Sequence, residues 1–122
     1  MNKKIIIIED ELSLRSVLAE KLKSDGFEVL EAKNGQEGLE ISISQKPDLI
    51  LLDIVMPKMD GLTMLEKLRE DSWGKKVPVI ILTNLSSGAE MSRSAEGGVS
   101  GYLVKTDWKL DDVVKKIKET LK

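Results

Sequence analysis

Five side chains capable of chemistry stand at the ends of apolar runs. Glu9 and Asp10 follow Ile5 to Ile8, and Asp53 closes the stretch LILLD. Thr83 follows Val77 to Leu82, and Lys105 follows Tyr102 to Val104. Brought to one place, three carboxylates, a hydroxyl and an ammonium favour one kind of chemistry. Clustered carboxylates repel one another unless a cation joins them. An all-oxygen ligand set with room for water suits Mg²⁺. A metal-bound aspartate is a competent nucleophile toward phosphorus and gives an aspartyl phosphate. The cation and a lysine would neutralise charge on the transferring phosphoryl group, while a hydroxyl holds a further oxygen.

Composition removes most competing chemistries. There is no cysteine, which excludes disulfides, thiolate metal sites and thiol nucleophiles. There is no histidine, which excludes a Ser-His-Asp arrangement and imidazole metal ligands. The 19 basic and 21 acidic residues are interspersed and leave a net charge of -2, which argues against nucleic acid or a membrane as direct partner. Phe27, Trp73, Tyr102 and Trp108 are too few aromatics for a base-stacking platform. Ile5 to Ile8 is too short for a signal peptide or a membrane span and runs into acidic residues, so a cytoplasmic location is expected.

The elements that must position these residues follow from hydrophobic spacing. Ile5 to Ile8 and Leu49 to Asp53 have no polar face before their last residue, which suits strands buried on both sides of a parallel sheet. Phe27 to Leu30, flanked by Glu28 and Glu31, reads as an edge strand. Val77 to Leu82 and Tyr102 to Val104 complete the set, with Pro78 tolerated near a strand start. Between them, Leu14, Val17, Leu18 and Leu22 recur at helical spacing and stop at Gly26. Leu39 with Ile43, then Leu62, Leu65 and Leu68, predict two further helices. Ser86 to Gly98 is expected to be a short, mobile helix, being rich in serine and glycine. Leu110, Val113, Val114, Ile117 and Leu121 give the clearest amphipathic helix, with Thr106 or Asp107 as its cap.

A strand-helix unit thus occurs five times across residues 1–122, with connections long enough for right-handed crossovers. One domain is expected: an α/β doubly wound, five-stranded parallel sheet with helices on both faces. In such a sheet the strand ends converge on the carboxyl edge, where open α/β folds bind ligands.

IIIIEDE, LLDIVMPKMDG, VPVIILT and GYLVK, in this order at these strand ends, closely resemble the receiver domains of two-component response regulators, over essentially the whole chain. The resemblance implies a flavodoxin-like fold with strand order 2-1-3-4-5, an order the handed-down family supplies and periodicity does not. It implies Asp53 as phosphoacceptor and Glu9 and Asp10 as the acidic pair holding Mg²⁺, with Asp10 the more direct ligand. The backbone carbonyl of Val55 would complete the metal site. Thr83 and Lys105 match the hydroxyl and lysine that contact the phosphoryl group. Tyr102 matches an aromatic that swings inward as the hydroxyl moves, changing the face made by the fourth predicted helix, the last strand and the last helix. The implied donor is a histidine kinase or phosphotransfer protein. The implied receiver of the signal is a downstream protein target or output domain, with a homodimer through that same face as a further possibility.

The chain departs from the family pattern at a few positions. Glu9 stands where Asp is commoner, Asn84 follows Thr83 where a small residue is usual, and Thr106 follows Lys105 where a proline is usual. Val55 and Leu85 occupy variable positions that tune water access in the family; both are apolar here, so slow self-dephosphorylation is expected. The same residues also have plainer readings. Asp53 could cap a helix, Glu9-Asp10-Glu11 could favour a helix dipole, and Tyr102 could be static core. Asp60-Gly61 reads as a turn with helix capping, Trp73 as a loop anchor and Trp108 as packing at the last helix. Three rival functions compete with this one: a receiver-like module acting without phosphate, a Mg²⁺ phosphatase, and a flavin carrier. The phosphatase would want a second aspartate where Val55 stands, and the carrier a phosphate loop where Glu9-Asp10-Glu11 would repel phosphate.

Overall fold

Ile5 to Ile8 and Leu49 to Leu52 carry no polar side chain, and none of these residues is exposed. The structure, a computed structural model, describes residues 2–54, 59–83, 98–104 and 109–121, and at Thr83 and Val104 the backbone alone. Five strands, β1 (Lys4–Ile8), β2 (Glu28–Ala32), β3 (Leu49–Asp53), β4 (Val79–Thr83) and β5 (Gly101–Val104), form one sheet in the order β2-β1-β3-β4-β5. Every pairing is parallel, so each connection crosses over. The described helices are α1 (Leu12–Ser24), α2 (Gly35–Gln45), α3 (Gly61–Glu70) and α4 (Leu110–Thr120). The helix expected from Ser86 lies outside the described residues up to position 97.

Alternation along the strands divides the core in two. Ile6, Ile8, Ile50, Leu52, Val79 and Ile81 face α3 residues such as Leu65 and Leu68. Ile5, Ile7, Leu49, Leu51, Ile80 and Leu82 face Leu18 and Leu22 of α1 and Val113 and Ile117 of α4. Both faces of the sheet are therefore covered, as the unbroken apolar runs require.

Several boundaries differ from the sequence reading. β2 begins at Glu28, because the N–H of Phe27 donates to the carbonyl of Leu22 and belongs to the turn that ends α1. Gly26 sits in that turn at φ +92°. β4 begins at Val79, since Pro78 has no N–H for a ladder; its carbonyl still accepts from Ile50. β5 begins one residue earlier than expected, where Gly101 pairs with Ile80. The cap of α4 is Lys109, not Thr106 or Asp107; the Asp112 carboxylate accepts from the Lys109 N–H at 2.9 Å.

Two helix faces are also corrected. Val17 is 45% exposed, and α1 packs instead through Leu18, Ala19 and Leu22. Ile43 is on the outer side of α2, whose inner face is Gly35, Gly38 and Ser42 with Leu39 half-buried. Small residues there let the helix lie close to the sheet, with Gly38 against the Ile8 side chain. Asp60 caps α3 as expected, accepting from the Thr63 N–H at 2.8 Å. Trp73 is half-buried against the α3-side core and anchors its loop, where Asp71 accepts from the N–H groups of Trp73 and Gly74. Arg69 fastens the far end of α3, donating to the carbonyls of Gly74, Val77 and Gly98; its burial lowers its pKa.

Candidate functional site

Register brings Glu9, Asp53 and the main chain of Thr83 to one edge. Ile8 pairs with Leu52, so Glu9 emerges beside Asp53. On the other side Asp53 pairs with Leu82, and Thr83 pairs with Val104. Neighbouring parallel strands that end in step place their next residues side by side.

Glu9, Asp10 and Asp53 form the acidic group found among the described residues, one carboxylate oxygen from each lying within 4.8 Å of the others. Glu9 is 1% and Asp53 4% exposed, while Asp10 faces solvent. Glu9 is held firmly by its main chain. Its N–H donates to the Ala32 carbonyl at 3.0 Å, extending the β1–β2 ladder, and its own carbonyl accepts from Arg15 at 2.8 Å. Its carboxylate also accepts from the Glu11 N–H at 3.2 Å. Glu11, at the N-cap position of α1, makes no side-chain cap, and the first turn of α1 has no acidic residue. The acidic run thus supplies no side-chain cap to α1, although Glu11 stands at the helix N-terminus where a negative charge suits the dipole.

Arg15 had no assigned role in the sequence. Besides Glu9 it reaches Glu31 at 3.3 Å, so it ties α1 to the ends of β1 and β2. A single arginine one turn into a helix carries no distinguishing signal in a sequence.

At the end of β3 the chain turns sharply. The Gly61 N–H donates to the Ile54 carbonyl at 2.8 Å, and any side chain at Gly61 would collide with the Asp53 carbonyl. Gly61 is thus required for the close approach of α3 to the Asp53 main chain. Tyr102 lies half-buried in β5 and packs against the α3-side core. Val55, Asn84, Leu85, Lys105, Thr106 and Trp108 lie outside the described residues, as does the side chain of Thr83.

Two buried carboxylates and one exposed one make an oxygen-only donor set with an open side. Such a set fits a hard divalent cation that keeps some of its water, which is the behaviour of Mg²⁺.

Residues 5–118 match the family model described as the response regulator receiver domain. The chain is 39% identical over 103 residues to the probable transcriptional regulator ycf27 of Cyanophora paradoxa, a match covering 84% of this chain and 42% of that protein. The chain spans less than half the length of the curated relatives it matches. Among solved structures, a CheY-like response regulator receiver domain protein from Methanospirillum hungatei superposes with a TM-score of 0.93 at 29% identity, covering 99% of this chain and 94% of that one. The receiver domain of a sensor histidine kinase from Pseudomonas aeruginosa, solved with a magnesium ion coordinated in its active site cleft, has a TM-score of 0.89. It is 24% identical and covers 99% of this chain and 98% of that one, a likeness of fold.

Proposed function

Because the chain belongs to the response regulator receiver domain family, the phosphorylation-based switches of two-component signalling, we propose that Asp53 is its phosphoacceptor. The observation that carries this reading is the cluster of Glu9, Asp10 and Asp53 at the carboxyl edge of the sheet. Glu9 and Asp10 would hold Mg²⁺ with Asp53 and the Val55 carbonyl. Bound there, the ion supplies positive charge to the carboxylates and to the transferring phosphoryl group.

The remaining chemistry belongs to the chain. A carboxylate oxygen of Asp53 forms a new P–O bond while the P–N bond of a phosphohistidine donor breaks. The leaving imidazole nitrogen keeps the electron pair and takes a proton from solvent. Lys105 would balance charge on the phosphoryl oxygens, and the Thr83 hydroxyl would donate to one of them. No general base is needed, which suits a chain without histidine. Hydrolysis of the acyl phosphate returns the carboxylate, so this domain acts on itself and signals rather than turning over a substrate.

Movement of Thr83 toward the phosphoryl group would free space for Tyr102, altering the face of β5, α4 and the segment before β5. Partners in this reading are a histidine kinase or phosphotransfer protein and a downstream target or output domain. Relatives described as transcriptional regulators support an output that reaches DNA through such a partner. A cytoplasmic site of action accords with this, and no helix among the described residues is long and apolar enough to cross a membrane.

Intact mass after incubation with Mg²⁺ and a small acyl phosphate tests the proposal. Gain of one phosphoryl group, absent with EDTA and in Asp53→Ala, is expected. No adduct from either an acyl phosphate or a phosphorylated histidine kinase would overturn it.

A further inference from the structure

We propose that Asn34 and Gly35, at the corner between β2 and α2, are positioning residues that set the spacing of the acidic site. The inference rests on Glu9, Asp10 and Asp53 being a Mg²⁺ site. Neither residue belongs to that cluster, yet the corner touches the main chain on both sides of it. On one side, the Ala32 carbonyl accepts from the Glu9 N–H at 3.0 Å. On the other, the Gly35 N–H donates to the Met59 carbonyl at 3.1 Å.

The second contact leads directly to Asp53. Two residues after Met59, Gly61 donates to the Ile54 carbonyl and lies against the Asp53 carbonyl. Both approaches are backbone on backbone. A Cβ at Gly35 would collide with the Met59 carbonyl, just as one at Gly61 would collide with that of Asp53. A carbonyl cannot swing aside as a flexible side chain can, so any displacement of Met59 passes along a two-residue span to the end of β3.

The corner is itself rigidly built. Asn34 is 5% exposed, and its side chain accepts from the Glu37 N–H at 2.8 Å. The Glu37 carboxylate accepts in return from the Lys33 N–H at 3.2 Å. The Asn34 side-chain cap fixes where the helix begins, and the Glu37–Lys33 bond ties the residue before the cap to its first turn. Ala32 and Gly35 are thereby held at a set distance, and with them the main chains of Glu9 and Met59. Carboxylates that must share one small ion depend on that spacing.

The test separates positioning from stability by measuring Mg²⁺ affinity by calorimetry and thermal unfolding on the same variants. Gly35→Ala is compared with Gly74→Ala, whose Cβ would collide with the Leu68 carbonyl at the opposite end of α3. Both variants are expected to unfold at lower temperature. Only Gly35→Ala is expected to bind Mg²⁺ more weakly, by about tenfold, the scale for loss of a group that orients a metal ligand. Should Gly35→Ala not fold, Asn34→Ala decides the matter, with weakened Mg²⁺ binding restored in Asn34→Ser, which can still cap. A Mg²⁺ dissociation constant within about twofold of the wild type in the folded corner variants would overturn the proposal. Absence of Mg²⁺ binding by the wild-type chain would overturn the metal site itself, a result distinct from the former.

Discussion

Neutralising Asp53 is expected to stabilise the metal-free protein. The relevant quantity is repulsion between carboxylates whose oxygens lie within 4.8 Å. Two full charges at that separation repel by about 3 kcal/mol at an effective dielectric near 20. Glu9 and Asp53 are both buried, so their mutual term is little screened by solvent. Asp10 is exposed, and its share is smaller. A lysine placed as expected for Lys105 would return roughly the value of one such pair, leaving a net gain of about 1–3 kcal/mol for Asp53→Asn. For a domain of this size that corresponds to a rise in unfolding temperature of roughly 3–10 °C in EDTA. Mg²⁺ should narrow this gap. At a hundredfold excess over its dissociation constant a ligand stabilises the wild type by about 2.7 kcal/mol, and the variant, short of one ligand, gains less. Thermal denaturation of both proteins across a Mg²⁺ titration reads this directly. An Asp53→Asn variant no more stable than wild type in EDTA, with a wild type indifferent to Mg²⁺, would refute the electrostatic account.

Other expectations are simpler. The Ser42 hydroxyl is buried in α2 and has no hydrogen-bond partner among the described residues, so Ser42→Ala should raise stability by about 1 kcal/mol in urea unfolding. An unchanged or lower midpoint would mean that the hydroxyl is satisfied. Lys21 of α1 has its pKa raised, first by its hydrogen bond to Asp111 of α4 and then by the charge of Asp25. A raised pKa in the folded state means stability present below the ordinary lysine value of 10.5 and lost as pH climbs through the folded value. The difference in unfolding temperature between wild type and Lys21→Met should therefore shrink above about pH 10.5, and a constant difference would count against the bridge. Apolar Val55 and Leu85 should make the acyl phosphate long-lived. A lifetime unchanged in Val55→Asn and Leu85→Glu, followed by intact mass after donor removal, would remove that expectation.

β1, β3 and β4 were legible because their runs are almost purely branched and aliphatic and each leads to a residue of different character, whereas β2, with Glu28 and Glu31, read as an edge. Asp53 and Asp60 were legible for the same reason, standing alone where an apolar pattern breaks. Strand order was not readable from periodicity; it came with the family resemblance, and the sheet agrees with it. The inner face of α2 was illegible, because glycines and a serine fill it and carry no apolar signal. Val17 misled in the opposite sense, an apolar side chain on the outer side of α1. Strand starts at Glu28 and Val79 depend on which N–H groups find a partner, and composition does not record that. The roles of Arg15, Gly35 and Arg69 were equally hidden. Each acts on a backbone carbonyl outside its own helix, and backbone acceptors leave no trace in residue type.

The most direct measurement of the central claim is chemical identification of the phosphorylated residue. Protein treated with Mg²⁺ and an acyl phosphate would be reduced with borohydride, which converts an aspartyl phosphate to homoserine, and then mapped by peptide sequencing in a mass spectrometer. Homoserine at position 53, dependent on Mg²⁺ and absent from Asp10→Asn or Glu9→Gln proteins assayed at limiting Mg²⁺, is the expected result. Phosphorylated protein whose reduced residue lies anywhere other than position 53 would contradict it.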